Sequence, residues 1–289
     1  MRSLLFVPAD GGSKLDKAMA SGADAVIIDL EDSITPERKQ AARAACLDFL
    51  KANNAKKDRP RLLVRINGLD TGMTDSDLDA IVPGKPDAVV FPKAEGGTSA
   101  VHLDAKLTAR EAVAGLPEGS IKMLAQAVES AAGLFLAGTF KDASKRLIGM
   151  TWGPEDLSAE LGAEANRDEH GLLTEPYRLA RNICLYGAAV AKIPAIETVY
   201  VDFRNSEGLR RDTEEARCDG FTGRLAIHPA QVPIINAVFT PTPEQIEKAK
   251  AVIAAFAANP GAGAVGLDGK MLDRPHLVRA QALLARVGG

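Results

Sequence analysis

Continuous apolar runs alternate with amphipathic stretches along most of the chain. Runs such as residues 25–30 and 122–128 are apolar at nearly every position, instead of alternating between apolar and polar. This pattern is typical of parallel strands that are covered on both faces. It predicts eight strands, at residues 3–7, 25–30, 61–66, 88–91, 122–128, 147–151, 198–201 and 223–227.

The stretches between these strands have apolar residues at helical spacing. They predict helices at residues 14–21, 36–55, 75–81, 99–114, 130–137, 175–191 and 207–219. Strands and helices in strict alternation predict an α/β fold, here a (β/α)₈ TIM barrel. A doubly wound sheet would place a G-x-G-x-x-G loop after the first strand. Residues 9–13 read Ala-Asp-Gly-Gly-Ser and do not fit that pattern, which favours the barrel.

The chain continues beyond the eighth strand. Helices are predicted at residues 229–237, 243–258 and 275–286, with a hairpin at residues 264–273 that turns at Asp268-Gly269. A barrel does not need this segment to close. We therefore predict a catalytic barrel over residues 1–240 and a C-terminal extension over residues 241–289 that acts as a lid or a subunit contact.

Composition narrows the function classes. The chain has 289 residues, of which 46% are hydrophobic and 25% charged, and a net charge of −3, so no basic surface for nucleic acid is expected. The three cysteines are far apart and are interpreted as reduced thiols. No apolar stretch is long enough to span a membrane or to serve as a signal peptide. These features predict a cytoplasmic protein.

Polar side chains follow most of the predicted strands. At the carboxyl ends of the strands, where barrel active sites lie, the sequence has Asp29, Glu31, Asp32, Arg65, Asn67, Lys93, Glu129, Glu155, Asp156 and His228. Several carboxylates at one barrel mouth need a counter-ion, and oxygen ligands suit a hard cation such as Mg²⁺. We predict that Glu129 and Asp156 hold the metal and that Arg65 binds an anionic substrate. Glu31 and Asp32 are expected to surround the metal site.

Simpler structural roles remain open for several of these residues. Asp32 and Asp156 each precede a helical stretch and would serve as N-terminal caps. Lys93 is either a partner for the acidic residues or a Schiff-base amine. The neighbouring acids and Pro92 favour the ion-pair interpretation.

Three basic residues also have two interpretations each. His228 precedes a proline and is either a satisfied hydrogen-bonding residue or a ligand contact. Lys14 and Lys17 lie one turn apart on the first predicted helix. They either form a solvated face or bind the phosphates of a long cofactor.

The motifs together match a known family. They are residues 2–8 (Arg-Ser-Leu-Leu-Phe-Val-Pro), 29–33 (Asp-Leu-Glu-Asp-Ser), 64–67 (Val-Arg-Ile-Asn), 91–93 (Phe-Pro-Lys), 129–133 (Glu-Ser-Ala-Ala-Gly), 153–157 (Gly-Pro-Glu-Asp-Leu), 219–224 with 227–229, and 269–273 (Gly-Lys-Met-Leu-Asp). In these segments the chain resembles the citrate lyase beta subunit group of the HpcH/HpaI aldolase superfamily, with its malyl-CoA and citramalyl-CoA lyase relatives. The resemblance covers nearly the whole chain.

The resemblance implies a barrel with a C-terminal lid, assembled as trimers or hexamers. It implies Mg²⁺ at Glu129 and Asp156, and contact between Arg65 and a 2-oxo acid. It also implies that the lid of a neighbouring subunit supplies a catalytic Asp, which matches Asp273. The lid favours a free-standing acyl-CoA lyase, because some lyase beta subunits lack it.

The same resemblance implies a coenzyme A site. Phe6, Lys14 and Lys17 would lie near coenzyme A, and Ile227 and His228 are expected to contact the substrate. The implied reaction is reversible Claisen-type cleavage of malyl-, methylmalyl-, citramalyl- or citryl-CoA to acetyl- or propionyl-CoA and a 2-oxo acid. The alternatives are a malyl-CoA thioesterase on the same scaffold, a pyruvate aldolase that does not use coenzyme A, and a citrate lyase beta subunit that needs an acyl-carrier partner.

Overall fold

Eight parallel strands form one sheet in the computed structural model, which describes residues 1–286. The strands are β1 (Ser3–Pro8), β2 (Ala25–Asp29), β3 (Arg61–Arg65), β4 (Ala88–Phe91), β5 (Lys122–Val128), β6 (Leu147–Trp152), β7 (Ile196–Glu197) and β8 (Gly223–Ala226). They are ordered β6-β5-β4-β3-β2-β1-β8-β7. A parallel bridge between Met150 and Ala195 joins the two ends of the sheet. The predicted (β/α)₈ barrel is therefore confirmed.

The strands are continuously apolar because both of their faces are covered. All five residues of β2 are buried. Side chains such as Ile27, Leu63, Val90 and Leu124 belong to one buried hydrophobic cluster. This packing fixes the carboxyl ends of the strands, and therefore the polar residues that follow them.

Helices connect the strands. They are α1 (Ser13–Met19), α2 (Lys39–Asn53), α3 (Thr74–Ile81), α4 (Gly96–Val113), α5 (Ala131–Leu136), α6 (Pro154–Leu161), α7 (Glu175–Ala191), α8 (Ser206–Asp219), α9 (Val232–Phe239), α10 (Pro243–Ala257) and α11 (Arg274–Ala285). Residues 36–38 and 229–231, predicted as the starts of α-helices, form short 3₁₀ turns. None of the helices within residues 1–286 is long and apolar enough to cross a membrane.

The seventh strand differs from its prediction. It was expected at residues 198–201, but β7 comprises only Ile196–Glu197. The predicted run at residues 198–201 therefore lies wholly beyond the end of β7, and Val201 within it is 54% exposed. The register is set upstream, where Met150 donates its amide hydrogen to the carbonyl oxygen of Pro194.

The chain divides into two compact units, Met1–Asn236 and Ala237–Gly289. In the C-terminal unit, β9 (Ala264–Leu267) and β10 (Lys270–Asp273) form an antiparallel hairpin. Asp268 and Gly269 both have positive φ angles, of 49° and 70°, which a tight turn of this kind requires. Apolar residues of α10, α11 and the hairpin form a separate small core.

Candidate active site

A cavity of about 430 Å³ lies at the carboxyl ends of the barrel strands. Its lining residues are Phe6, Val7, Pro8, Asp29, Asp32, Ser33, Arg65, Gln126, Glu129, Trp152, Gly153, Pro154, Glu155, Asp156, Thr198, Val199, Leu225 and Ile227. The cavity therefore combines a charged region with an apolar region, the usual composition of a small-molecule site.

Arg65 at the end of β3 is held by carboxylates of the β2 end. Its Nε lies 2.7 Å from Asp29 Oδ1 and its Nη2 lies 2.8 Å from Asp29 Oδ2. Its Nη1 lies 2.8 Å from Glu31 Oε2. Burial opposes ionisation of Asp29, but the hydrogen bonds and charge of Arg65, together with hydrogen bonds from Ser33 and Glu31, outweigh it and hold the pKa of Asp29 below its usual value. The guanidinium is thus fixed in the cavity wall before any substrate binds.

Lys93 bridges two carboxylates. Its Nζ lies 3.1 Å from Glu31 Oε1 and 3.2 Å from Asp156 Oδ1. Burial disfavours its charge, but Glu31 and Asp156 outweigh that effect and raise the pKa of the Lys93 ammonium. A permanently charged lysine is a poor Schiff-base nucleophile, so the geometry favours the ion-pair interpretation.

Arg65 and Lys93 compensate the negative charge of Glu31 only in part. Its side chain is buried, and burial followed by the charge of Asp32 raises the pKa of Glu31 to about 7 despite Arg65 and Lys93. Asp32 is more exposed, 3.5 Å from Arg65 Nη1. Glu31 and Asp32, which were expected to surround the metal site, therefore both lie beside Arg65.

Glu129, which follows β5, is buried at 3% exposure, the same as Asp29. Its Oε1 accepts a hydrogen bond of 2.6 Å from Gln126 Nε2, and its Oε2 accepts one of 2.8 Å from the Lys93 amide. Burial, together with the charges of Asp156 and Glu31, raises the pKa of Glu129 to about 8. A Cβ on Gly153 would lie 2.5 Å from Glu129 Oε1, so this approach requires glycine.

The chemistry around Glu129 and Asp156 fits a divalent metal. Both carboxylates line the cavity, and the pKa of Glu129 is raised first by burial and then by the charges of Asp156 and Glu31, effects that a bound cation would offset. Gln126 Oε1 is buried and has no hydrogen-bond partner in the described part of the chain. Residues 1–286 contain no group of three or more His, Cys, Asp or Glu side chains arranged to hold a metal. Two carboxylates suit Mg²⁺, which retains several water ligands.

The predicted substrate contacts divide into two groups. Phe6 and Ile227 line the cavity, and the Phe6 ring centroid lies 4.9 Å from the Arg65 guanidinium carbon. Lys14 and Lys17 are exposed on α1 and do not line the cavity.

His228 is exposed beside Ile227, at the start of a 3₁₀ turn. Its Nδ1 accepts a hydrogen bond of 3.1 Å from the Ala230 amide, and its ring stacks on Phe203 at 4.9 Å. The hydrogen bond and the stacking hold the His228 ring in place, and its contact with a substrate stays a prediction.

Asp273 belongs to the C-terminal unit, at the junction of β10 and α11. Its Oδ1 lies 2.5 Å from His276 Nδ1. The hydrogen bond from His276 lowers the pKa of Asp273. A half-exposed carboxylate with a lowered pKa is ionised at neutral pH and is accessible as a base.

Several cavity residues were not predicted from the sequence. Trp152 ends β6 and donates a hydrogen bond of 2.6 Å from Nε1 to Glu197 Oε1. Arg181 Nε donates one of 2.6 Å to the other oxygen of Glu197, which is itself buried. A polar Gln126 inside the otherwise apolar β5 was the available signal for the hydrogen-bond donor to Glu129.

The chain is similar over nearly its whole length to several known proteins. The family described as HpcH/HpaI aldolase/citrate lyase matches residues 2–229. The citrate lyase subunit beta of Leuconostoc mesenteroides subsp. cremoris is 34% identical, with 98% of this chain and 92% of that protein covered. A (3S)-malyl-CoA thioesterase of Cereibacter sphaeroides (strain KD131) is 36% identical, covering 99% and 94%. CitE of Mycobacterium tuberculosis, in a crystal structure with magnesium, acetoacetate and coenzyme A, has a TM-score of 0.78 and 32% identity, covering 100% and 98%.

Proposed function

The chain belongs to the HpcH/HpaI aldolase/citrate lyase family, and on that premise we propose that it is a Mg²⁺-dependent acyl-CoA lyase. The reaction is reversible cleavage of a 3-hydroxyacyl-CoA to acetyl-CoA or propionyl-CoA and a 2-oxo acid. One observation carries this proposal: buried Glu129, with its pKa raised to about 8, lies with Asp156 in a cavity that also contains Arg65.

The side chains of the cavity have distinct roles in this proposal. Glu129 and Asp156 would hold Mg²⁺, which supplies Lewis-acid polarisation of the substrate oxygens when bound. Gln126 orients Glu129 through its 2.6 Å hydrogen bond. Lys93 holds Asp156 in position. Arg65 presents its guanidinium to the carboxylate of the oxo acid and stabilises the charge that develops on the neighbouring oxygen.

Proton transfer at carbon is assigned to Asp273. In the condensation direction the carboxylate removes a proton from the α-carbon of the acyl-CoA, and in the cleavage direction the minor protonated form of Asp273 gives a proton to that carbon. We propose that chains assemble as homotrimers or hexamers, so that Asp273 of one subunit serves the barrel of another. Phe6, Ile227 and His228 would contact the thioester, and Lys14 and Lys17 the phosphates of coenzyme A.

Product analysis tests this function. The purified chain is incubated with Mg²⁺ or with EDTA and with malyl-, methylmalyl-, citramalyl- and citryl-CoA. Release of a 2-oxo acid in equal amount to a shorter acyl-CoA, with no free thiol and no reaction in EDTA, is the expected result. If none of these four thioesters is cleaved, the proposal is overturned.

Hydrolysis is the second candidate, because a relative at 36% identity is named a malyl-CoA thioesterase. Free coenzyme A and an intact hydroxy acid would then form. A third candidate is a beta subunit that depends on an acyl-carrier partner, and activity of the isolated chain on coenzyme A thioesters would exclude it.

A further inference from the structure

The carboxyl end of β6 is held by a side chain of β7. We propose that this side chain, Glu197, is a positioning residue for the metal site and acts through Trp152, the last residue of β6. The carboxylate holds the indole, and the indole fixes the strand end from which Gly153 and Asp156 follow. This inference rests on the proposed function, because it concerns the same site for a divalent cation.

Backbone pairing alone gives this strand end little support. On one side, the pairing of β6 with β5 changes register between Gln126 and Val128, directly before Glu129, and such irregularities disrupt the ladder locally. On the other side, a single bridge between Met150 and Ala195 links β6 to the start of β7 within residues 1–286. By comparison, β1 and β2 pair without a break over five residues. Side-chain contacts therefore have to contribute to the spacing between the ends of β6 and β7.

Trp152 and Glu197 provide such a contact. Trp152 Nε1 donates a hydrogen bond of 2.6 Å to Glu197 Oε1, and the two residues are buried, at 0% and 1% exposure. The Thr198 amide donates one of 2.9 Å to the same oxygen, and Arg181 Nε donates one of 2.6 Å to Glu197 Oε2. Both carboxylate oxygens are thus engaged, and rotation of the carboxylate would leave a buried donor unpaired, which is unfavourable.

Gly153 connects this contact to the metal site. A Cβ on Gly153 would lie 2.5 Å from Glu129 Oε1, so the Glu129 carboxylate packs against the residue that follows Trp152. The next helix, α6, has Asp156 in its first turn. The positions of both proposed metal carboxylates therefore depend on where β6 ends. Loss of a side chain that orients metal ligands typically weakens metal binding about 10- to 100-fold.

A second buried ion pair provides a matched control at the opposite end of the barrel. Arg146, which directly precedes β6, bridges buried Glu111 and a more exposed Asp104. Arg181 likewise bridges buried Glu197 and a more exposed aspartate. Because the strands are parallel, the amino end of β6 lies on the side of the barrel away from the cavity. A role in stability alone would predict the same behaviour for both glutamates.

The experiment measures Mn²⁺ binding to the purified chain by electron paramagnetic resonance of the free ion, without substrate or turnover. Mn²⁺ is the probe because it shares the preference of Mg²⁺ for oxygen ligands. Glu197→Met removes both acceptor oxygens at similar volume and should raise the Kd at least about tenfold. Glu111→Met should also lower the free energy of unfolding, but it should leave the Kd within a few-fold of wild type.

Glu197→Gln tests rescue by a conservative change. Two donors, the indole N–H and the Thr198 amide, face Oε1, and one donor faces Oε2. The amide oxygen of glutamine should therefore take the Oε1 position and keep the indole bonded, so the Kd should stay within a few-fold of wild type. Trp152 is the only tryptophan of the sequence, so a changed emission spectrum in Glu197→Met would show directly that its ring has moved.

Trp152→Phe tests the same bond from the other side, because it removes the indole N–H and leaves the pair between Glu197 and Arg181 intact. It should raise the Kd at least about tenfold, and adding Glu197→Met should raise it by no more than a few-fold further, since both changes break one bond. If Glu197→Met does not fold, Trp152→Phe decides.

A wild-type Kd in either Glu197→Met or Trp152→Phe overturns the inference, as does an equally large rise in Glu111→Met or Glu197→Gln. The lyase function stands in those cases if the wild-type chain cleaves a thioester with Mg²⁺. Absence of Mn²⁺ binding by the wild-type chain would instead overturn the proposed metal site, and the inference with it.

Discussion

The carboxyl ends of β2 and β3 and those of β5 and β6 are both acidic, yet their charges are balanced differently. At the first pair, Arg65 binds both oxygens of Asp29, and the pKa of Asp29 is lowered. At the second pair, the hydrogen bonds that Glu129 accepts from the described residues come from neutral donors, the Gln126 side-chain amide and the Lys93 backbone amide. Its pKa is raised to about 8.

Asp29 therefore has a complete ion pair within the protein, whereas Glu129 does not. The bidentate pair between Asp29 and Arg65 is complete in the protein alone and contributes to the rigidity of the barrel mouth. Within residues 1–286 no cationic side chain forms an ion pair with Glu129, so an added cation would compensate its charge. We therefore expect replacement of Asp29 to affect mainly stability and replacement of Glu129 to affect mainly activity.

The largest effect is expected for Glu129→Gln. Loss of one of two proposed metal carboxylates should reduce Mg²⁺-dependent lyase turnover about 1,000-fold or more, equivalent to about 4 kcal/mol. Stability should be unchanged or higher, because a neutral group replaces an uncompensated buried carboxylate. Product release at saturating Mg²⁺ and urea unfolding without Mg²⁺ measure the two quantities.

Glu160→Gln is the matched control, since Glu160 is exposed on α6, the helix that contains Asp156. It should change turnover by no more than a few-fold. Full turnover in Glu129→Gln would remove this residue from the metal site, and a large loss of stability would contradict the contrast between the two strand pairs.

Asp29→Asn tests the finished ion pair and should mainly affect stability. The variant leaves the buried guanidinium of Arg65 without its bidentate partner and should lower the free energy of unfolding by about 3 kcal/mol at pH 7. The folded-state pKa of Asp29 lies below its usual value of 3.8, so its stabilising contribution is present above that pH. The contribution is lost as the pH falls through the folded-state pKa, and the difference between wild type and variant should shrink in acid.

Asp75→Asn serves as the comparison for that measurement. Asp75 forms exposed ion pairs with Lys106 and Arg110, so its loss should cost less than about 1 kcal/mol. Equal losses for Asp29→Asn and Asp75→Asn would show that the pair at the barrel mouth is not a structural element.

The sequence predicted that the acids at these strand ends would meet, because it predicted the order and direction of the strands. Parallel strands bring their carboxyl ends to one side of the barrel, so the acids after β2, β5 and β6 were expected to converge. Asp29, Glu129 and Asp156 do line one cavity. The seventh strand was misplaced because the run at residues 198–201 is apolar without being paired.

The choice of partners was not predictable. The sequence does not show whether Arg65 faces the substrate or Asp29, or whether Lys93 reaches Asp156. These contacts depend on distances between side chains of different strands, which cannot be read from spacing along the chain. Gln126 was hidden for a similar reason, because its strand reads as apolar overall. Sequence patterns therefore identified which groups meet at the site but not which of them neutralise each other.

The smallest effect is expected in the C-terminal unit, where Asp273 resembles Asp29 in having a pKa lowered by its partner. His276→Ala removes the hydrogen bond that is the main cause of this shift. The pKa of Asp273 should then rise towards its usual value, so the carboxylate is protonated at higher pH and base activity is lost earlier on acidification. The acid limb of α-proton exchange from acetyl-CoA should move up by less than about one pH unit. Exposed His102 provides the control variant, His102→Ala. The contrary outcome is that Asp273→Asn abolishes exchange while the acid limb of His276→Ala does not move. Asp273 would then act as the base without help from His276, and partner side chains would shift the pKa values of the barrel acids only.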